Sequence, residues 1–317
     1  MPEIVIPEFM DEDAVREGLR GFDVLYDQKL VERPAELAVA AAEARALIVR
    51  NRTQVDASLL AEAPRLKVVG RLGVGLDNID LPACKARRID VIPATGANAR
   101  SVAEYVIGAA LLLRRPAFGA TAAVGAGEWP RAALAQGREL SDCTLGIVGF
   151  GSIGRLVAEF AHRLGMHVIG HDTAIAPDSA SWGEQHAAPR PLDDLLRASD
   201  IVSLHVPLTE ATHRLLDARR LSLMKRDAIL INTSRGGIVD EAALAAALRG
   251  GTLGGAALDV FEHEPLPAAN VLAGCPRLLL TPHIAGVTRE SNARVSALVA
   301  RGVAAALLRR SGDSAHA

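Results

Sequence analysis

Short apolar runs, each bounded by charge, proline or glycine, recur along almost the whole chain. In the first hundred residues they are EIVIP, DVLY, ALIVR, LKVVG and DVIP. Helix-like segments such as PAELAVAAAEA and DASLLAEA lie between them. This alternation predicts a parallel sheet with helices on both faces. SVAEYVIGAALLLRR, from Ser101 to Arg115, predicts a long helix, with Ser101 and Glu104 placed for a capping box. A less regular stretch follows, PAFGATAAVGAGEWPRAALAQGREL. The strand–helix rhythm then returns as TLGIVGF, a helix, MHVIGHD, DIVSLHV, AILINTS, GAALDV and LLLTPH. RESNARVSALVARGVAAALLRR predicts a last helix, and the tail SGDSAHA is expected to fray. The fold class is therefore α/β, with two doubly wound parallel-sheet units. The second interrupts the first if the last helix folds back.

A length of 317 residues suits two domains rather than one. Half the residues are hydrophobic but only 3% are aromatic, so the core must be built from Ala, Val, Leu and Ile. A formal net charge of −2 gives no basic face for nucleic acid or a membrane surface. Cys84, Cys143 and Cys275 are scattered and odd in number, which argues against a disulfide framework or structural zinc and suits a reducing cytoplasm. No metal ligand set is expected. MPEIVIPEF lacks the basic and apolar regions of a signal peptide, and VIGAALLLRRP is too short and too charged to span a bilayer. The expected setting is the cytoplasm.

LGIVGFGSIGRLVAEFAHRLGMHVIGHD carries the strongest single signal. A strand, Leu145 to Val148, runs into Gly149, Gly151 and Gly154 in the spacing G-x-G-x-x-G. A helix to Leu164 and a strand ending at Asp172 follow. A dinucleotide fold needs the first glycine for a tight turn, the second for approach of a pyrophosphate and the third for helix–strand packing. The helix start offers free amides to the phosphates. Asp172 would accept hydrogen bonds from the adenosine ribose and repel a 2′-phosphate, which favours NAD over NADP. The simpler alternatives are a plain tight turn and a solvated strand-end carboxylate.

ILINTSRGGIVDEAAL places a full positive charge, Arg235, at the exit of a buried strand. Ligands of parallel sheets bind at that end. A guanidinium there can grip a carboxylate through two hydrogen bonds. Gly236 and Gly237 would let the chain turn and leave room for a ligand; a structural salt bridge is the alternative. ALDVFEHEPLP adds Asp259, Glu262 and Glu264 after another strand, and LLLTPHIAG adds His283 after a third. An arginine, an acid and a histidine at strand exits of one sheet suit hydride transfer on a 2-hydroxy acid. Histidine can take the hydroxyl proton and return it in reverse, a carboxylate can hold the ring, and the arginine can anchor the substrate.

At VVGRLGVGLDNID, VGFGSIGR, INTSRGGIVDE, ALDVFEHEP and TPHIAG the chain resembles the D-isomer-specific 2-hydroxyacid dehydrogenases, especially their 3-phosphoglycerate dehydrogenase branch. The resemblance covers much of residues 45 to 290. It implies a flavodoxin-like substrate domain, 1–97 with 288–317, and a Rossmann cofactor domain, 98–287, with catalysis in a cleft that closes on binding. It implies Arg235 as substrate anchor, His283 as acid/base and Glu264 as its partner, leaving Glu262 solvated. For the cofactor it implies Ser152 and Ile153 at the pyrophosphate, Asp172 at the ribose and Pro207 near the adenine. Thr233 would lie along the cofactor and Asp259 near the carboxamide. Val206, Thr212, Ser234 and Gly286 complete the implied NAD set. It further implies a homodimer, with GEWPRAALAQGREL as an arm; Trp129 is expected to be a packed anchor rather than a wall of the partner's site.

GRLGVGLDN could hold the substrate carboxylate in a nest of the amides around Gly73, Val74 and Gly75, a plain turn being the alternative. The resemblance places arginines matching Arg50 and Arg71 at the far end of the substrate, whereas Arg52 is expected on the surface. If they converge, the substrate carries a second anion, as 3-phosphoglycerate and 3-sulfolactate do. IVIPEFMDEDAV resembles the start of the short (S)-sulfolactate dehydrogenases. Sulfur on C3 outranks the carboxyl in the naming rules, so the D-like arrangement is labelled S. Two rivals stay open: a non-catalytic NAD-sensing module that binds a partner, and a formate dehydrogenase, against which the extra arginines speak.

Overall fold

The computed structural model describes residues 2–313, and the chain divides into two compact units. One is the chain through Asn98 together with everything from Val287 onward; the other is Ala99–Gly286. Both are doubly wound α/β layers, as the sequence pattern indicates.

The first unit holds five parallel strands: β1 (Ile4–Ile6), β2 (Val24–Tyr26), β3 (Ala46–Val49), β4 (Val68–Arg71) and β5 (Asp90–Pro93). Their order is β2-β1-β3-β4-β5. Side chains alternate between the faces, so Ile4, Ile6, Ala46, Ile48 and Val68 join one buried cluster while Val5, Leu47, Val49 and Val69 join another. The helix Arg289–Asp313 supplies Val295, Val299, Ala300 and Val303 to the first cluster. Of the tail expected to fray, residues 311–313 continue this helix and 314–317 lie outside the described residues.

The second unit has seven parallel strands: β6 (Thr144–Val148), β7 (His167–His171), β8 (Ala187–Pro189), β9 (Ile201–Leu204), β10 (Ile229–Asn232), β11 (Gly255–Leu258) and β12 (Leu278–Leu280). The order β12-β11-β10-β9-β6-β7-β8 reverses between β6 and β9, which opens the crevice where such sheets take their ligands. β8, only Ala-Ala-Pro, pairs with β7 at the sheet edge and packs Ala187 against the core.

One sequence expectation fails here. The long helix begins at Ala99, so Ser101 lies inside it, buried, and Glu104 pairs with Arg100 at 3.8 Å instead of closing a capping box. Within the single chain Trp129 is 79% exposed. Its stretch folds only as short turns of helix, Thr121–Gly125 and Arg131–Leu134, with no buried residue to dock them.

Candidate active site

The glycine loop leaves β6 at the crevice. Gly149 has φ of 93°, and a Cβ there would stand 2.6 Å from the His205 carbonyl, so only glycine fits. A Cβ at Gly154 would stand 2.2 Å from the Gly149 oxygen, which is the close helix–strand packing the third glycine provides. At Gly151 a Cβ would meet nothing within 4 Å, so that side of the backbone is open to a ligand. Gly151 caps the helix Ser152–Arg163 without a side-chain hydrogen bond, leaving the first amides, at Ser152 and Ile153, with no side-chain acceptor. Phe150, between the glycines, is fully buried with its ring centroid 4.5 Å from that of Trp182.

Asp172, just past β7, is more than a solvated strand end. Its Oδ2 accepts the Phe150 amide at 2.7 Å and its Oδ1 accepts the Ala174 amide at 2.8 Å. Each oxygen keeps a lone pair for a ribose hydroxyl. The cavity beside it, about 510 Å³, is lined by Ile175, Trp182 and Arg190 among others. Asp172→Ala should therefore relax the preference for NAD, because a 2′-phosphate would meet Arg190 without a facing carboxylate. The NAD to NADP ratio of kcat/KM reads this out, and an unchanged ratio would place the discrimination elsewhere.

After β9, His205 donates its amide to the Val148 carbonyl at 2.7 Å, tying the two crevice strands. Its Nε2 lies 2.9 Å from the Ser203 hydroxyl, and burial pushes the imidazole down to about 4. The ring is thus neutral in the fold, while an unfolded histidine titrates near 6.5. Between those values the unfolded chain binds a proton that the folded chain refuses, so stability is full above about pH 6.5 and falls toward pH 4. Urea midpoints should decline across that window, and less steeply in His205→Asn; equal slopes would remove His205 as the cause. Val206 packs against the core, and Thr212 braces the next turn by donating to the Pro207 carbonyl at 2.6 Å.

β10 leads to Arg235 through Asn232, a buried residue whose side chain donates to the Arg235 carbonyl at 2.9 Å and accepts from the Ser234 amide and hydroxyl. Thr233 Oγ1 is buried with no hydrogen-bond partner among the described residues, an orphan that a bound cofactor could satisfy. The Arg235 guanidinium is half-buried and donates to the Ser234 carbonyl at 2.6 Å. Gly236 does not leave room for a ligand, as the sequence suggested: a Cβ there would lie 1.8 Å from the Phe261 carbonyl. The glycine lets the Arg235 loop press against the loop that follows β11.

That next loop carries Asp259 and Glu264. Glu264 Oε1 accepts the Phe261 amide at 3.0 Å, and its Oε2 lies 2.7 Å from His283 Nδ1. A carboxylate only accepts, so Nδ1 carries the hydrogen and Nε2 is the atom free to exchange a proton. Both side chains are partly exposed, 45% for His283 and 34% for Glu264. His283 itself has φ of 52°, a conformation that costs a non-glycine residue energy and must be held in place.

Asp259 supplies the hold. It is 1% exposed; Oδ1 accepts the Thr281 hydroxyl at 2.6 Å and the Ile284 amide at 2.8 Å, Oδ2 accepts the Ala285 amide at 2.8 Å, and its carbonyl accepts the His283 amide at 2.8 Å. Since the Thr281 hydrogen goes to Asp259, the Tyr105 hydroxyl 2.6 Å away is the donor to Thr281. Burial pushes the Tyr105 phenol up, which keeps it protonated for that task. Gly286 closes this loop. Sequence reasoning singled out neither Asn232 nor the Tyr105–Thr281 pair, because buried polar residues inside apolar runs give no periodic signal. Glu262, set aside as solvated, is exposed.

The substrate residues named in the first unit, Arg50, Arg71 and Gly73 to Gly75, lie at the carboxyl ends of β3 and β4, beside the reversal of order between β1 and β3. Glu8, 4% exposed, accepts the amides of Arg50, Thr53 and Arg52 at 2.9 to 3.0 Å. Burial would raise its pKa, but those amides win and hold the carboxyl below its usual range. The Arg50 guanidinium donates to Asn292 at 2.9 Å, lies over the Phe9 ring and is pushed down by burial. Arg52 is exposed and pairs with Glu32. Arg71 ends β4, in register with Val49, the residue before Arg50, so the two arginines stand at the ends of adjacent strands. The nest of amides is smaller than expected: the Gly73 amide already donates to the Arg71 carbonyl at 2.8 Å. The Val74 and Gly75 amides make no hydrogen bond among the described residues. Those residues also hold no group of three metal-ligating side chains and no helix long and apolar enough to cross a membrane.

An open glycine loop, uncapped helix amides, a strand-end carboxylate and an orphaned threonine hydroxyl fit NAD. An arginine, a glutamate and a histidine at the exits of the neighbouring strands β10, β11 and β12 fit a proton-coupled hydride transfer. Residues 107–285 match the model of the D-isomer specific 2-hydroxyacid dehydrogenase NAD-binding domain, and the chain belongs to that family of NAD-dependent oxidoreductases. It is 54% identical over 307 residues to a (S)-sulfolactate dehydrogenase of Chromohalobacter salexigens, covering 97% of this chain and 99% of that one. It is 41% identical over 273 residues to a D-3-phosphoglycerate dehydrogenase of Mycobacterium leprae, covering 86% of this chain but only 51% of the relative. The crystal structure of D-lactate dehydrogenase from Aquifex aeolicus, complexed with NAD and lactic acid, superposes with a TM-score of 0.84 over 96% of this chain and 95% of that one, at 31% identity.

Proposed function

We propose that the chain oxidises (S)-3-sulfolactate, or reduces its keto acid, with NAD. Likeness to a sulfolactate dehydrogenase at 54% identity over 97% of the chain, against 41% over 86% for the phosphoglycerate relative, supports this reading. The observation that carries it is the placing of two arginines, Arg50 and Arg71, at the carboxyl ends of the adjacent strands β3 and β4, where a second anionic group would meet positive charge.

In this reading Arg235 anchors the substrate carboxylate. His283 Nε2 takes the hydroxyl proton as the C2 hydrogen leaves with its electron pair, and Glu264 keeps the ring oriented. Bound NAD supplies the hydride acceptor. In the cofactor site, Gly149, Gly151, Ser152, Ile153 and Gly154 take the pyrophosphate and Asp172 the ribose. Val206, Pro207 and Thr212 flank the adenine side, and Thr233, Ser234, Asp259 and Gly286 lie toward the nicotinamide. Asp259 acts there through the loop it holds.

Arg71→Ala should lower kcat/KM for sulfolactate at least about tenfold, the scale of one charge-assisted hydrogen bond, and leave D-lactate much less affected. Equal losses on both would count against the cationic end of the site. We also infer a cytoplasmic homodimer. Leu111, Leu112, Phe118, Val124 and Trp129 form an exposed apolar run that a second copy would cover, and the three cysteines are unpaired. Sedimentation at micromolar concentration checks the dimer, and Trp129→Ser should weaken it.

A further inference from the structure

The second unit has another cavity, about 920 Å³, at the amino ends of its strands. Asp227 precedes β10, Gly254 precedes β11 and Arg277 precedes β12, and all three line it. The glycine loop, Thr233, Asp259 and His283 leave the opposite, carboxyl ends, so the cavity is separate from the cofactor and catalytic residues of this unit.

Its wall carries five arginines, Arg114, Arg138, Arg226, Arg249 and Arg277, against a single carboxylate, Asp227. Arg138 pairs with Asp227 at 3.0 Å and Arg114 approaches it at 3.8 Å. The other three donate to backbone carbonyls: Arg226 to Gly251, Arg249 to Val271 and Ala273, and Arg277 to Gly254 and Leu113. No carboxylate lies within ion-pair distance of those three among the described residues. A helix C-terminus favours one cation, which explains Arg114 or Arg249 taken singly. It does not explain the convergence of five, nor the state of Arg114. That residue is 5% exposed, and its Nε is buried without a hydrogen-bond partner. A buried charge with an unsatisfied donor is costly unless something negative meets it.

We propose that this cavity binds a small polyanion with at least two phosphate or carboxylate groups. Arg114 is its buried cation, and Arg226, Arg249 and Arg277 line it from the exposed surface. Pro116, Leu248 and Pro276 add apolar wall for the body of such a ligand. The site is independent of the proposed reaction.

Tripolyphosphate is the probe. The full chain, saturated with NAD so that the pyrophosphate site is filled, is titrated calorimetrically at constant ionic strength. The wild-type chain should bind one equivalent that the double variant Arg226→Gln/Arg249→Gln loses or binds at least about tenfold more weakly, with dehydrogenase turnover and melting temperature in buffer unchanged. Equal titrations of both proteins would overturn the proposal. So would the absence of any titratable site in the wild type together with an altered sedimentation coefficient in the variant, because a second copy would then fill the cavity.

Discussion

Replacing His283 with alanine is expected to cut turnover by about 10²-fold or more while NAD binds nearly as before. The imidazole follows β12 with a carboxylate on its Nδ1, and its side chain is partly exposed, which leaves Nε2 as the atom to exchange a proton with substrate. Removing it leaves the glycine loop, Asp172 and Thr233 untouched, so the dissociation constant for NAD, read by fluorescence titration, should move little. Glu264→Gln tests the partner separately. The amide can still accept from Nδ1, so it should cost less than the loss of the ring, and the pH profile of kcat should shift. Normal turnover in His283→Ala would remove the histidine from the chemistry.

Asp259→Asn is expected to lower kcat on the order of tenfold to 10²-fold and also to destabilise the fold. The side chain keeps its size, so packing is preserved. One of its two acceptor atoms becomes a donor, however, facing either the Ala285 amide or the two donors from Thr281 and Ile284. A buried donor facing a donor costs about 1–3 kcal/mol. The loop can relieve that only by moving, and the loop carries His283 at φ of 52°. A displacement of about 1 Å in a catalytic group is enough for a loss of this size. Turnover and urea midpoint should fall together, with KM for the hydroxy acid less affected. Tyr105→Phe, which removes only the outermost donor of the same chain, should give a smaller loss of the same kind. A fully active Asp259→Asn would show that the loop holds its shape without the carboxylate.

Much of this was legible in the sequence because it is periodic or local. Eleven of the twelve strands are short apolar runs, and their faces separate by simple alternation, as Ile229 and Ile231 part from Leu230. The glycine spacing, with a strand before it, a helix after it and Asp172 at the next strand end, specifies a nucleotide loop within thirty or so residues. β8 escaped because Ala-Ala-Pro carries no β-branched or aromatic signal, and its pairing with β7 is a tertiary matter. The capping box at Ser101 misled because the same residues read equally well two positions inside a helix, and only packing sets where the helix begins. Gly236 was read as space for a ligand, whereas the demand comes from Phe261, twenty-five residues on, which no local pattern records. Glu8, Asn232, Tyr105 and Thr281 stayed hidden for a similar reason. Each is a buried or half-buried polar group whose partners are distant in sequence or are backbone atoms, and hydrogen bonding of that kind leaves no periodicity.

The most direct test of the account is the oxidation of (S)-3-sulfolactate, its R enantiomer, 3-phosphoglycerate and D-lactate by the purified chain with NAD, followed by NADH absorbance at constant ionic strength. The account predicts that (S)-3-sulfolactate exceeds D-lactate in kcat/KM by about 10²-fold, two charge-assisted contacts' worth, with the R enantiomer inert. D-lactate used as well as the sulfonate, or no hydroxy acid oxidised by a chain that binds NAD, would contradict it.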